Sequence, residues 1–370
     1  GVCGCIRLVC VTDAAADLVV EAGGLGALLG ASRGHLKRAD VQRAFVGAVW
    51  ELASHGFAKS VVEAEGVSTV LKAAEAHMSA KHDRLNARVA GVIRLLAVDN
   101  DAKQSIGEHD GVKVLLTMAQ TFQKSAAVQA DVSGALAVLA VDDALEVQIA
   151  TGGGIEILFA ALDAHKGNAS VAAHVWHALT NLSVSAENKA RLGAARDMKE
   201  TVSTSLTQHA KAPRVIEGVA TTLRNLCIGD AMSHFIDTAM LQTLIKLLRQ
   251  YTHQTIVALA LCSLIRTISG NAGLAKELAE NHDALPALRA VKSAHKDDDR
   301  LMKEAESAWR RLEDAFKGVD DDARNSMAAE AGKTKLPGGA KAKSVVPGSL
   351  KGQVETKLKN GGKNGKTAQV

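Results

Sequence analysis

The sequence repeats with a period of about 43 residues, and this period constrains the fold more than any other feature. An apolar residue marks the same point of each period: Val9, Leu52, Leu96, Leu139, Leu182, Leu226, Ile268 and Leu312. A second apolar marker keeps the same spacing: Leu25, Val67, Val112, Ile155, Met198, Leu241 and Leu285. A constant period of this length indicates an array of similar stacked units rather than separate globular domains.

Residues 100–140 show how one unit is expected to fold. Helical spacing of apolar residues predicts a short helix over 100–106, a second over 112–122 and a third over 126–140. In the first four units a glycine stands just before the second helix: Gly24, Gly66, Gly111 and Gly154. We expect this glycine to adopt a positive φ angle and to turn the chain sharply between the first two helices.

The composition favours an all-α protein. Apolar residues make up 47% of the chain but aromatic residues only 3%, so the apolar share rests on Ala, Val and Leu. Ala is the strongest helix former and lets helices approach closely, while the alternating pattern of strands is missing. No apolar run reaches the roughly 18 residues that a bilayer span needs. The 5 scattered Cys form no disulfide framework, which predicts a reducing cytoplasmic or nuclear setting.

The ends of two third helices resemble the armadillo repeat family. They read Ala-Leu-Thr-Asn-Leu at 178–182 and Thr-Leu-Arg-Asn-Leu at 222–226, and the Gly153-Gly154-Ile155 sequence between helices also matches. The resemblance implies a right-handed α-α superhelix, an armadillo-like solenoid of about seven repeats over residues 13–316. Two-helix HEAT repeats are the alternative, because Asp197, Met240 and Ala284 replace the glycine in the last three units.

The two ends of the chain lie outside this array. Residues 317–370 carry 11 Lys and Arg against 5 Asp and Glu, whereas residues 1–316 carry 33 against 35. We predict a disordered basic tail over 317–370, since it is rich in Lys, Gly and Ala and lacks aromatic residues. Residues 1–12 match the end of a truncated upstream repeat. Acylation of Gly1, Cys3 and Cys5 is the alternative interpretation of that segment.

In armadillo proteins the third helices line a concave groove, and Asn at the Asn-Leu position binds the main chain of an extended peptide. We call this position the ladder position, and it holds Glu51, Leu95, Val138, Asn181, Asn225, Thr267 and Arg311. The resemblance implies that Asn181 and Asn225 bind peptide, and the alternative role is polar stabilisation between repeats. We also predict His177 as a groove residue for partner binding. It stands where nuclear-import adaptors carry Trp, so binding of classical import signals is not expected.

Basic residues recur at two further positions of the period. Just before the ladder position stand Arg94, Arg224, Arg266 and Arg310, with Arg7 at the start of the chain. Guanidinium groups bind carboxylates and phosphates in a bidentate manner, so an acidic or phosphorylated peptide is the predicted ligand and ion pairs between repeats are the alternative.

Histidines end the second helices at His35, His77, His165, His209, His253 and His295. We interpret these histidines as surface caps of the helix dipole.

No arrangement of residues predicts catalysis, a metal site or a cofactor. His174 and His177 share a helix face but lack further ligands, and Gly152–Gly154 follows no strand, so it is no phosphate loop. The predicted function is a non-enzymatic scaffold or adaptor for protein partners. The alternatives are a scaffold that contacts nucleic acid or anionic lipid through the basic tail, and the substrate-recognition part of a larger protein of the ubiquitin-ligase type.

Overall fold

Helices are the regular elements in the part of the chain that the structure describes, and no strand occurs there. The computed structural model describes residues 3, 4, 6, 10, 12–195, 197–228, 235–281 and 283–333. The chain divides into two bodies, Gly1–Asp320 and Asp321–Val370, and only the end of the last helix is described in the second body. The predicted all-α array is confirmed.

Seven repeats follow one another, each with a first, a second and a third helix. Repeat 1 contains α1 (Asp13–Glu21), α2 (Gly24–Gly34) and α3 (Ala39–Leu52), and repeat 2 contains α4 (Ala58–Glu63), α5 (Gly66–Glu75) and α6 (Asp83–Leu96). Repeat 3 contains α7 (Asn100–Glu108), α8 (Gly111–Thr121) and α9 (Ala126–Leu139), and repeat 4 contains α10 (Asp143–Thr151), α11 (Gly154–Ala164) and α12 (Ala169–Leu182).

The second half of the array keeps the same order. Repeat 5 contains α13 (Ala186–Ala194), α14 (Met198–Gln208) and α15 (Pro213–Leu226), and repeat 6 contains α16 (Thr238–Gln250) and α17 (Thr255–Ile268). Residues 229–234, ahead of α16, lie outside the described residues. Repeat 7 contains α18 (Ala272–Asn281), α19 (Ala284–Ala294) and α20 (Asp299–Lys333). The helices of repeat 3 begin and end within two residues of the predicted bounds.

Helices of the same kind stack on one another along the array. The third helices α3, α6, α9, α12, α15 and α17 pack in sequence, and the second helices form a parallel row. The core lies between these two layers, and the periodic markers are buried in it, from Leu52 through Leu182 to Leu312. Each repeat therefore buries its apolar faces largely against its neighbours.

The glycine before each second helix has a different role from the predicted one. The residues with positive φ are the ones that precede it: Gly23, Glu65, Asp110 and Gly153, at 75°, 58°, 56° and 82°. A Cβ on Gly24, Gly66, Gly111 or Gly154 would lie 2.5–2.8 Å from a carbonyl oxygen of the preceding first helix. The glycine is thus required for close approach of the backbone, and the left-handed residue makes the turn.

Three of the six histidines at the ends of the second helices join repeats within the described part of the chain. His77 Nε2 lies 2.9 Å from the carbonyl oxygen of Leu36, and His165 Nε2 lies 2.8 Å from that of Gln123. His295 makes the same contact with the carbonyl oxygen of Thr252 at 2.6 Å. At the junction of repeats 5 and 6, the Tyr251 hydroxyl donates to the carbonyl oxygen of Ala210 at 2.8 Å. We call this recurrent contact the second-helix bond.

The last helix extends beyond the predicted end of the array. The array was expected to end at residue 316, whereas α20 runs to Lys333. The residues after 316 are acidic and then Ala-rich, a composition with good helix propensity. The rest of the predicted tail, 334–370, lies outside the described residues. Within the described part, no single helix is long and apolar enough to span a membrane, and two helix pairs reach that composition only across bends of 72° and 67°.

A charge in the core tests the register of the repeats. Leu182 is fully buried, whereas Val184, two residues later, is 69% exposed. We expect Leu182→Asp to lower the free energy of unfolding by about 3 kcal/mol or more, because a carboxylate would be desolvated without a partner. Val184→Asp is the matched control and should leave the melting temperature, measured by circular dichroism, nearly unchanged. Equal melting temperatures for the two variants would contradict this register.

Candidate functional site

The ladder position faces the preceding repeat as well as solvent. The Asn181 Nδ2 amide donates to the carbonyl oxygen of Ala137 at 2.7 Å. The Asn225 Nδ2 amide donates to the Ser183 Oγ hydroxyl at 2.9 Å, and the Asn225 side chain is buried. Both amides therefore connect a third helix to the third helix before it, which is the structural role that the sequence left open as an alternative.

A basic cluster lies on the third helices of repeats 5 to 7. We define it as Arg224, Arg266 and Arg300 around the carboxylate of Glu304. Arg266 Nε donates to Glu304 Oε2 at 2.5 Å. The Glu304 carboxylate also attracts the Arg224 guanidinium electrostatically, whereas Arg266 and Arg300 repel the Arg224 guanidinium. Three guanidinium groups around one carboxylate leave a local excess of positive charge.

Arg224 differs from Arg266, the other half-buried arginine of this cluster. It has no carboxylate within ion-pair distance among the described residues, and its Nη2 donates to Asn225 Oδ1 at 2.9 Å. Burial is the main cause that lowers the pKa of Arg224, and Glu304 opposes this effect. A half-buried guanidinium with its charge incompletely balanced favours an anionic ligand group, because such a group would restore the lost hydration.

Another polar cluster lies on the third helices of repeats 2 to 4. The side chains of Arg94 and His174 occupy the space beside Gly134 in this cluster. A Cβ on Gly134 would lie 2.9 Å from Arg94 Cδ and 3.2 Å from His174 Cδ2. Burial lowers the pKa of His174, and Arg94 lowers it further. Burial raises the pKa of Asp131, and Arg94 and Arg88 partly offset this. The protein's own side chains thus fill this part of the surface.

The two remaining predicted residues are both exposed. His177 lies on α12, one turn before Asn181. Arg310 lies on α20 and donates from Nε to Glu306 Oε1 at 3.0 Å along the same helix. An exposed ion pair of this kind contributes little to stability and exchanges readily with solvent. No group of three or more His, Cys, Asp or Glu suited to a metal ion occurs in the described part of the chain.

Comparisons with known proteins identify the fold. No family model matches the chain, and no curated protein matches it in sequence. The structure is similar to a solved structure described by the words "a conserved phosphorylation switch controls the interaction between cadherin and beta-catenin". The TM-score is 0.69 and the sequence identity is 16%. That match covers 84% of this chain, and the chain spans 65% of the matched one. A designed armadillo repeat protein matches with a TM-score of 0.52 and 20% identity, over 61% of this chain and 93% of its own.

The chain has an armadillo-type fold. An engineered protein also matches, with a TM-score of 0.55 and 20% identity, over 68% of this chain and 97% of its own. These likenesses rest on the arrangement of helices rather than on close sequence similarity. The ladder position and the basic cluster lie on the third helices of this fold.

The armadillo solenoid brings together some of the predicted groove residues and separates others. Arg224, Asn225 and Arg266 lie close to one another, and His177 and Asn181 follow the same surface one repeat earlier. Arg94 lies two repeats before His177 and Asn181, near His174 of their helix, and Arg310 pairs with Glu306 at the far end. Their role in binding a partner stays a prediction.

Sequence reasoning missed the acidic member of the basic cluster. Glu304 stands seven residues before Arg311, and Asp131 and His174 hold the same place relative to their own ladder positions. Seven residues are about two helical turns, so these side chains share one stripe with the ladder position. Aligning the whole stripe across repeats, rather than single positions, would have revealed them.

Removing the buried amide tests its structural role. We expect Asn225→Ala to lower the free energy of unfolding by about 1–3 kcal/mol, because the bond to Ser183 in the preceding repeat is lost. Thr267→Ala is the matched control at the same ladder position, since its hydroxyl bonds the carbonyl oxygen of Ser263 in its own helix. Chemical unfolding measures both values. An Asn225→Ala variant as stable as Thr267→Ala would contradict a role in joining repeats.

The depressed pKa of His174 predicts a pH dependence of stability. Burial holds this pKa below its usual value of 6.5, so the unfolded chain takes up the proton first as the pH falls. The contribution of neutral His174 is therefore present above about pH 6.5 and is lost as the pH falls through the folded pKa.

The pH dependence is measured by comparing two histidine variants. We expect the loss of melting temperature from about pH 7.5 to about pH 5.5 to be smaller in His174→Gln than in the unchanged protein. His177→Gln, at an exposed position of the same helix, serves as the control. An identical pH dependence in the His174→Gln variant and the unchanged protein would show that His174 contributes nothing to it.

Proposed function

We propose that this protein is a non-enzymatic scaffold or adaptor that binds an extended acidic or phosphorylated peptide along its third helices. The observation that carries the proposal is Arg224, a half-buried guanidinium with no carboxylate within ion-pair distance among the described residues. It lies beside Arg266 and Asn225, which can offer further donors to the same ligand. We place the binding surface at repeats 4 to 7.

The geometry supports a long ligand rather than a small one. The candidate residues recur from repeat 4 to repeat 7, one set per third helix, and the proposed site is therefore a row along a surface. A peptide in extended conformation presents its backbone groups and alternate side chains at regular spacing. Such a ligand is suited to contact several repeats at once.

Asn181 supports contact with the main chain of such a peptide. Its Nδ2 amide already donates to the carbonyl oxygen of Ala137, and its side chain is half-buried. A carboxamide carries two donors and one acceptor, so the bond between repeats leaves further capacity for a ligand. The structural and the binding role of this Asn are therefore compatible.

A structural neighbour also supports an acidic or phosphorylated ligand. One matching chain belongs to a study of a phosphorylation switch that controls the interaction between cadherin and beta-catenin. We extend this to the present chain because its basic cluster provides the planar donors that phosphate and carboxylate groups prefer.

We also propose that the protein works in a reducing compartment, the cytoplasm or nucleus. The buried thiols of Cys10 and Cys262 are in line with this.

Charge reversal at Arg224 tests the proposed function. The probes are three fluorescein-labelled peptides of about ten residues: one with several Glu in a Ser and Val background, one with phosphoserine in place of Glu, and one with Lys. We expect the two anionic peptides to bind and the Lys peptide to bind more weakly. Arg224→Glu should weaken the anionic peptides about tenfold or more, because it removes a donor and adds repulsion.

Lys246→Glu is the matched control for this charge reversal. Lys246 is exposed on the second helix α16, so the variant makes the same change of charge away from the third helices. We expect it to leave the affinity of the anionic peptides nearly unchanged. Equal losses in the two variants, or no preference of the unchanged protein for anionic peptides in fluorescence polarisation, would overturn the proposal.

A further inference from the structure

Among the described residues the second-helix bond is absent from two junctions, that of repeats 2 and 3, where Phe122 follows α8, and that of repeats 4 and 5. The second-helix bond joins repeats 1 and 2, 3 and 4, 5 and 6, and 6 and 7. His209 holds the corresponding place at the end of α14, yet its side chain makes no such bond to repeat 4 among the described residues. The turn ahead of α14 also differs from those of repeats 1 to 4 and 7, because Asp197 has a φ of −108° where those repeats have a left-handed residue.

A cavity opens at this junction. It has a volume of about 810 Å³ and lies between α11, α14 and the end of α13, with His165 and His209 in its wall. At the preceding junction, where His165 makes the second-helix bond, the corresponding cavity measures about 260 Å³. The larger volume falls within the range of ligand-binding sites, roughly 300–1,000 Å³. The cavity is formed by second helices and so lies away from the basic cluster.

The floor of the cavity is apolar. Ile155, Phe159 and Leu162 on α11 line it from one side, and Ala194 and Ala195 line it from the end of α13. Phe159 is only half-buried, in contrast to the fully buried Leu158 beside it. A partly exposed aromatic ring in a concave wall is suited to contact an apolar side chain of a partner.

The rim of the cavity carries carboxylates that lie beyond ion-pair distance of the described cations, although Glu200 attracts Lys166 electrostatically. Glu156, Asp197 and Glu200 are exposed and form no ion pair within the described residues. The two cations of the described wall are already engaged, because Lys166 pairs with Asp163 and Arg191 pairs with Glu187, each at 2.9 Å. Arg196 lies outside the described residues. The described wall therefore favours a cationic ligand.

We propose that this cavity is a second docking site, for a basic segment of a partner protein that inserts one apolar side chain between Lys or Arg residues. A polypeptide fits better than a free cation because single exposed ion pairs contribute little. Several charges held on one chain beside an apolar anchor add up. The site is independent of the proposed peptide groove, which prefers ligands of the opposite charge.

Peptide binding to the full chain tests the second site. The probes are fluorescein-labelled peptides of about ten residues with one Leu or Phe flanked by Lys in a Ser background, and the same peptides with Glu for Lys. We expect the Lys peptides to bind, and the Glu peptides to be excluded from the cavity. Thr204→Trp, which fills the cavity from α14, should weaken the Lys peptides about tenfold or more.

A pair of charge variants keeps the test independent of folding. The double variant Glu156→Lys with Glu200→Lys changes exposed residues, and it should weaken the Lys peptides about tenfold. Glu280→Lys, at an exposed position of α18, is the control and should bind as the unchanged protein does. Arg224→Glu should also leave the Lys peptides unaffected, which separates this site from the groove.

Four outcomes would overturn the second site. The first three are no binding of the Lys peptides to the unchanged protein, equal binding of the Glu peptides at the cavity, and full affinity in both Thr204→Trp and the double charge variant. Loss of affinity in Arg224→Glu alone would assign the Lys peptides to the groove and would equally overturn it.

Discussion

The whole array depends on each repeat burying its apolar faces against its neighbours. The residues that mark the period are buried from Leu52 to Leu312, and the third helices stack in sequence from α3 to α17. A single three-helix unit would leave such faces in water, so stability resides in the junctions rather than in the units. Close packing of this kind requires small residues and thin helices, which accounts for the abundance of Ala and the scarcity of aromatic side chains.

Polar bonds between repeats add geometric precision to this packing. On the second helices, His77, His165, Tyr251 and His295 each reach a carbonyl oxygen of the preceding repeat. On the third helices, Asn181 donates to the carbonyl oxygen of Ala137 and Asn225 to the hydroxyl of Ser183, each in the preceding repeat. The junction of repeats 4 and 5 shows the separate effect of the two rows. Its third helices remain joined through Asn225, whereas its second helices lack their bond and enclose the large cavity.

The period and the apolar markers were sufficient to predict the repeat count and the helix bounds of repeat 3, because burial of one face dictates helical spacing. The roles of individual polar residues were less predictable. Gly24 and its equivalents allow a close approach that depends on the angle between two helices, and spacing along the chain does not contain that angle. Likewise Glu304 meets Arg266 across a distance of 38 residues. Such a contact depends on the rotation between repeats, which a single-position pattern does not encode.

Net charge conceals the electrostatic character of the two long surfaces. Residues 1–316 are almost neutral in sum, yet the third helices of repeats 5 to 7 gather Arg224, Arg266 and Arg300, and the second helices near α14 present unpaired carboxylates. Because charges separated by more than about 10 Å are screened at ordinary ionic strength, each surface acts on a ligand through its own local charge. The two faces of one solenoid are therefore suited to partners of opposite charge, and neither preference follows from the composition of the chain.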